Sequence, residues 1–150
     1  KEMVFITRFF REFHDKIWNR KLMDKLFFDY VTNDSKAFSS EFYLNINDVK
    51  EIASLGHNIG GHGHYSFDLR FEDNETIVNE IISMNKFLSS LNVNNKIYAY
   101  ANGGYNDFVL KKIKENKFDL AFTTNNDCVT NKCSFLEIPR TDATKTDLIL

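Results

Sequence analysis

The chain has 150 residues, 43% hydrophobic and 27% charged, which suits a folded domain with its own core. A net charge of −2 offers no basic surface for nucleic acid or for an anionic membrane. No run approaches the ~18 apolar residues of a membrane span, and no signal peptide is visible at a start that is not Met.

Met3-Val4-Phe5-Ile6-Thr7 is apolar and β-branched and reads as a buried strand, which in a parallel sheet needs neighbours on both sides. Over residues 10–28, Phe13, Ile17, Trp18, Leu22, Met23, Leu26 and Phe27 recur at roughly helical spacing and predict one or two helices. His14 lies there and reads as a surface histidine. Residues 33–40 are polar and read as a loop. Asn45-Ile46-Asn47-Asp48 has the form of a helix start with Asn45 as cap. Val49, Ile52, Ala53 and Leu55 give that helix its inner face, and Gly56 ends it as the C′ residue.

Residues 57–61 are the next predicted strand, and a histidine loop follows. His57, His62 and His64 are three of the chain's four histidines, and four of its six glycines interleave with them. Histidine is a common metal ligand and acid/base group, and glycine lets backbone turn or approach closely. Ile77, Ile81, Met84, Leu88 and Leu91 then mark the clearest helix, over residues 74–91. A strand over 96–101 ends in the turn Asn102-Gly103-Gly104. A helix over 105–116 buries Phe108, Val109 and Ile113, and a strand follows over 119–124. Residues 125–134 form a polar loop holding Cys128 and Cys133. These two form either a small disulfide loop or, the favoured reading, free thiols, because no further ligands for a zinc site lie near them. A short strand over 135–138 ends at Pro139-Arg140.

Alternating strands and helices predict an α/β fold with a parallel sheet or barrel, as one domain. Sites in such folds gather at the carboxyl ends of the strands. That places His62, Asn102 and Arg140 in loops able to share one cleft.

The stretch Gly56-His57-Asn58-Ile59-Gly60-Gly61-His62, followed by Ser66-Phe67-Asp68-Leu69, resembles the second motif of the polysaccharide deacetylases, carbohydrate esterase family four. That motif runs Gly-His-Glu-Ile-Gly-x-His-Thr-x-x-His-x-x-Leu, and its last two histidines bind a divalent metal. His62 matches the first of them. Ser66 stands at the second, with His64 two positions earlier. Tyr98-Ala99-Tyr100-Ala101-Asn102-Gly103-Gly104-Tyr105-Asn106 resembles a strand ending in the family's Pro-Tyr-Gly. Ala101 replaces the proline and Asn102 the tyrosine whose backbone N–H holds the oxyanion. Residues 118–124 and Leu136-Glu137-Ile138-Pro139-Arg140 resemble later family strands.

The resemblance implies an incomplete, distorted (β/α) barrel that lacks the first strand and helix, with residues 3–7 beside the strand over 57–61. Phe13, Ile17 and Trp18 are then expected to cover the open edge. It implies metal-dependent hydrolysis of N-acetyl, or O-acetyl, groups on a polysaccharide or N-acetylated glycan. A metal-activated water attacks the acetyl carbonyl, a carboxylate takes its proton, and backbone N–H groups hold the oxyanion. His62, His64 and Ser66 form the metal side; Asn102 and Arg140 the catalytic side; His57, Tyr100, Gly103 and Tyr105 the substrate side. The family's Phe-Asp-Asp and late Leu-x-His motifs are missing, and Phe27-Phe28-Asp29-Tyr30 does not replace the former. The family metal is divalent, zinc first, yet this chain alone is expected to retain none tightly and to be inactive alone. The alternatives are a non-catalytic carbohydrate-binding relative and a structural product that self-associates through an open sheet edge. Many family members act outside the cytoplasm, and the compartment of this chain is left open.

Overall fold

The computed structural model describes residues 16–93 and 95–141. Residues 3–7, Phe13 and His14 lie outside them, as does the edge covering expected of Phe13 and Ile17. The chain divides into two compact units, through Ile46 and from Asn47 onward.

In the first unit, α1 spans Lys16–Tyr30 and α2 spans Ser35–Phe42. The second helix corrects the loop expected over residues 33–40. Asp34 caps it by accepting the Ala37 N–H at 2.9 Å. One turn apart, Phe38 and Phe42 stack at 4.6 Å, and Phe38 meets Phe27 edge-on at 5.1 Å. A capping aspartate and an i,i+4 aromatic pair outweigh the segment's polar composition. Much apolar surface stays open here, with Tyr30 81% and Phe42 65% exposed.

The second unit holds the sheet. Helix α3, Ile46–Ser54, ends as expected at Gly56, which has φ +90°. The Gly56 N–H donates to Ala53 O and the His57 N–H to Ile52 O, which is the Schellman closure that positive φ permits. Then come β1 (Gly60–Gly61), α4 (Asn74–Ser90), β2 (Ile97–Ala99), α5 (Asp107–Glu115) and β3 (Leu120–Phe122). The strands lie parallel in the order β1-β2-β3, with Gly61 opposite Tyr98 and Tyr98 opposite Ala121. Ile138 adds a parallel bridge to Phe122, where the last short strand was expected.

The α/β reading with a parallel sheet is therefore observed, and the strands are shorter than the apolar runs predict. Among the described residues β1 is an edge strand and the sheet is open. Ile77, Ile81 and Leu88 of α4 pack with Val109 and Ile113 of α5 and with Tyr98, Tyr100 and Ala121 of the sheet. All of these are at most 1% exposed, so the helical spacing of the sequence marks the core face.

Candidate functional site

Because the three strands are parallel, their carboxyl ends share one side of the sheet. His62 follows β1 directly. Its Nδ1 lies 2.8 Å from the carbonyl oxygen of Ala99, the last residue of β2. A carbonyl only accepts, so Nδ1 is the donor, and in the neutral ring this tautomer leaves the lone pair on Nε2. The ring is exposed. A ligating histidine is oriented in the same way, by its other nitrogen donating to backbone.

The loop beyond His62 is held from below. Glu80 of α4 is only 5% exposed, and its Oε2 accepts the N–H of His64 at 2.7 Å and of Tyr65 at 3.2 Å. The charge of Glu80 also acts on Tyr98, whose hydroxyl is pushed up first by burial and then by that carboxylate. Ser66 is exposed and takes φ +54°. His64 is exposed as well, its ring edge-on to that of Tyr65 at 4.5 Å.

Asp68 ties this loop to the turn after β2. Its carboxylate accepts from Arg70 Nε at 3.0 Å and Nη2 at 2.7 Å, and from the Arg70 N–H at 3.2 Å. Gly104 packs flat against it, and a Cβ on Gly104 would run into the Asp68 carboxylate. The turn itself spans Ala101–Gly103, with Asn102 exposed at φ +53°. Its own bonds use the N–H groups of Gly103, to Tyr100 O at 3.0 Å, and of Gly104, to Ala101 O at 2.9 Å. The Asn102 N–H takes no part in them, as expected at the start of a helical turn. Gly103 lies beneath it, close against Thr124.

Arg140 is fastened to the end of β3. Its Nε donates to Thr123 O at 2.8 Å and its backbone N–H to Asn125 O at 2.9 Å. Tyr100 is fully buried, donating its hydroxyl to Leu136 O at 2.9 Å and stacking on Tyr105 at 4.7 Å. Tyr105 is half-buried and donates to Glu137 Oε1 at 3.1 Å. Burial, then that bond, raises its hydroxyl above the ordinary value.

His62, Asn102, Gly103, Ser66 and Arg140 thus lie on the carboxyl side of the sheet, with Tyr100 beneath the surface. His57 does not join them. It precedes β1 and lines a groove of about 330 Å³ with Lys50, Asn58 and Asn92, at the amino ends of the strands. Among the described residues no group of three or more His, Cys, Asp or Glu side chains gathers where it could hold a metal. Cys128 and Cys133 are free thiols.

Sequence reasoning missed Glu80 and Asp68. Glu80 had a signal, for it sits three residues after Ile77 and four before Met84, on the apolar stripe of α4. Asp68 had none, because its partner Gly104 is distant in the chain.

A family model described as polysaccharide deacetylase matches residues 28–121, more than half of the chain. No curated protein matches. Among solved structures, the chain is similar to the Streptococcus pyogenes deacetylase PplD in complex with acetate. The TM-score is 0.63 at 24% identity, over 70% of this chain and 47% of that one. This chain therefore spans about half the length of that structure.

Proposed function

The chain belongs to the polysaccharide deacetylase family, and from that premise we propose that it serves in hydrolysis of acetyl groups, N-linked first, on a polysaccharide. The reading extends to the fold: the parallel sheet is an arc of a deacetylase-type barrel. The observation that carries it is His62, whose Nδ1 is engaged by Ala99 O so that Nε2 is left for a ligand. In this family's chemistry a divalent ion polarises the acetyl carbonyl and lowers the pKa of its bound water. Asn102 supports the oxyanion side, since its N–H stands at the start of a turn whose internal bonds leave it over. Arg140, anchored on Thr123 O, stands ready to orient an acidic group or a substrate oxygen.

The metal itself is a different matter. Metal sites use three or four protein ligands as a rule, and among the described residues no group of three His, Cys, Asp or Glu side chains forms around His62. Ser66 stands where the family motif has its second histidine, and a neutral hydroxyl is a poor substitute for imidazole. The described residues do not complete a donor set for a divalent ion. Ser66 also favours a second reading, a relative that keeps the glycan cleft without the chemistry.

Zinc calorimetry separates the possibilities. The chain is expected to bind zinc no tighter than tens of micromolar, on the order of 6 kcal/mol, and to release no acetate from an N-acetylated glycan by itself. Histidine tolerates positive φ better than most residues, so Ser66→His is expected to raise zinc affinity at least about tenfold. Submicromolar binding that disappears in His62→Ala would overturn the incomplete donor set. No gain in Ser66→His would show that positions 62 and 66 do not face one site.

A further inference from the structure

One aromatic side chain on the histidine loop, outside the metal, oxyanion and arginine positions, is built for contact. Tyr65 is 55% exposed. An exposed tyrosine is ordinary in itself, but this one is fixed from two directions. Its ring stacks on Phe67 at 5.2 Å and 21°, and Phe67 is half-buried against the core cluster of the second unit. Its backbone N–H is held at 3.2 Å by the buried carboxylate of Glu80, which also takes the His64 N–H. A ring held this way loses little conformational freedom when something packs on it. Tyrosine also offers a hydroxyl at the rim of an apolar face, so one end of a contact can be dry and the other wet.

The ligand class follows from shape. A pyranose with equatorial substituents has an apolar C–H face and a polar edge, which matches an exposed aromatic ring with a hydroxyl and an imidazole beside it. The His64 ring is that imidazole, 4.5 Å from Tyr65. An extended peptide or a lipid chain needs a longer apolar groove than a single tyrosine gives. We propose that Tyr65, stacked on Phe67 and held by Glu80, is a sugar-stacking platform that takes one pyranose ring of a β-linked glycan on the loop that carries His62. This rests on the glycan reading of the preceding section and adds the residue that grips the sugar.

The test is titration of the chain with the pentamer of β-1,4-linked N-acetylglucosamine, followed by NMR shifts of the protein and by saturation transfer to sugar C–H protons. Wild type is expected to bind. Tyr65→Ala is expected to weaken binding about five- to tenfold, the scale of one aromatic contact. Tyr65→Phe and Tyr65→Trp, which keep a ring, are expected to stay within about twofold of wild type on the same scale. The amide spectrum of each variant checks its fold, which an exposed side chain leaves intact. Binding by wild type that Tyr65→Ala does not change overturns the platform and leaves glycan binding standing. Equal loss in Tyr65→Phe and Tyr65→Ala overturns it too, because the hydroxyl and not the ring would then hold the sugar. No binding by wild type removes glycan recognition by this chain and the platform with it.

Discussion

Two residues close helices in the same way with different chemistry. Gly56 and Lys117 both take positive φ after a helix, at +90° and +57°. The Lys117 N–H donates to Lys114 O and the Phe118 N–H to Ile113 O, the same closure as at Gly56. For glycine that backbone is free of strain, whereas a side chain there costs roughly 1–2 kcal/mol. Lys117→Gly removes that strain. It also gives up about 0.5–1 kcal/mol through the freer unfolded chain and about 0.3 kcal/mol of cation near a helix C-terminus. The net expectation is a gain of about 0.5 kcal/mol, or ~1–2 °C in Tm, measured by scanning calorimetry. A lower Tm would mean that the lysine charge outweighs the backbone term. The sequence showed the Gly56 stop because glycine announces it, and hid the Lys117 stop because lysine does not.

At the scale of elements, α4 is the best-specified piece of the chain. Its apolar spacing placed Ile77, Ile81 and Leu88 in the core, and its first turn is closed by Asp73. The Asp73 side chain accepts the Thr76 N–H at 2.8 Å and the Thr76 hydroxyl at 3.1 Å. The backbone bond first, and the hydroxyl second, hold this carboxyl below the usual carboxylate range. Its folded pKa therefore lies below its unfolded one. The stabilisation is complete above the unfolded value, about 4, and is lost as pH falls through the folded value. Asn caps about as well as Asp but does not titrate. As pH falls below ~4, wild-type Tm is expected to fall more steeply than that of Asp73→Asn. Parallel curves would show that the cap does not hold in solution. The contrast is α2, where the same device, Asp34 on the Ala37 N–H, went unread because its segment is short and polar.

At the scale of the whole molecule, the histidine loop depends on a helix that follows it in sequence. Glu80 reaches from α4 to the N–H groups of His64 and Tyr65. Glu80→Ala leaves two N–H groups without their acceptor, at about 1–3 kcal/mol. Amide exchange at His64 and Tyr65 is expected to quicken roughly ten- to a hundredfold by the same energy. Glu80→Gln, which keeps an acceptor oxygen without the charge, is expected to fall between. Unchanged exchange in Glu80→Ala would mean that the loop is held elsewhere. The sequence by itself determined the alternation of strands and helices, the inner faces of α4 and α5 and the family motif around His62, because periodicity and glycine placement are local properties of a chain. Only the tertiary structure decided which loop residues share a face. His57 is in the motif yet falls at the amino ends of the strands, since a strand has two ends and its neighbours in sequence are divided between them. Tyr100 looks like a ligand contact in sequence, but its hydroxyl is spent on Leu136 O. Glu80 and Asp68 hold the site although they lie outside the histidine pair and the Pro-Tyr-Gly-like turn, because the N–H groups and the Gly104 surface they meet reach them only through the packed sheet and helix.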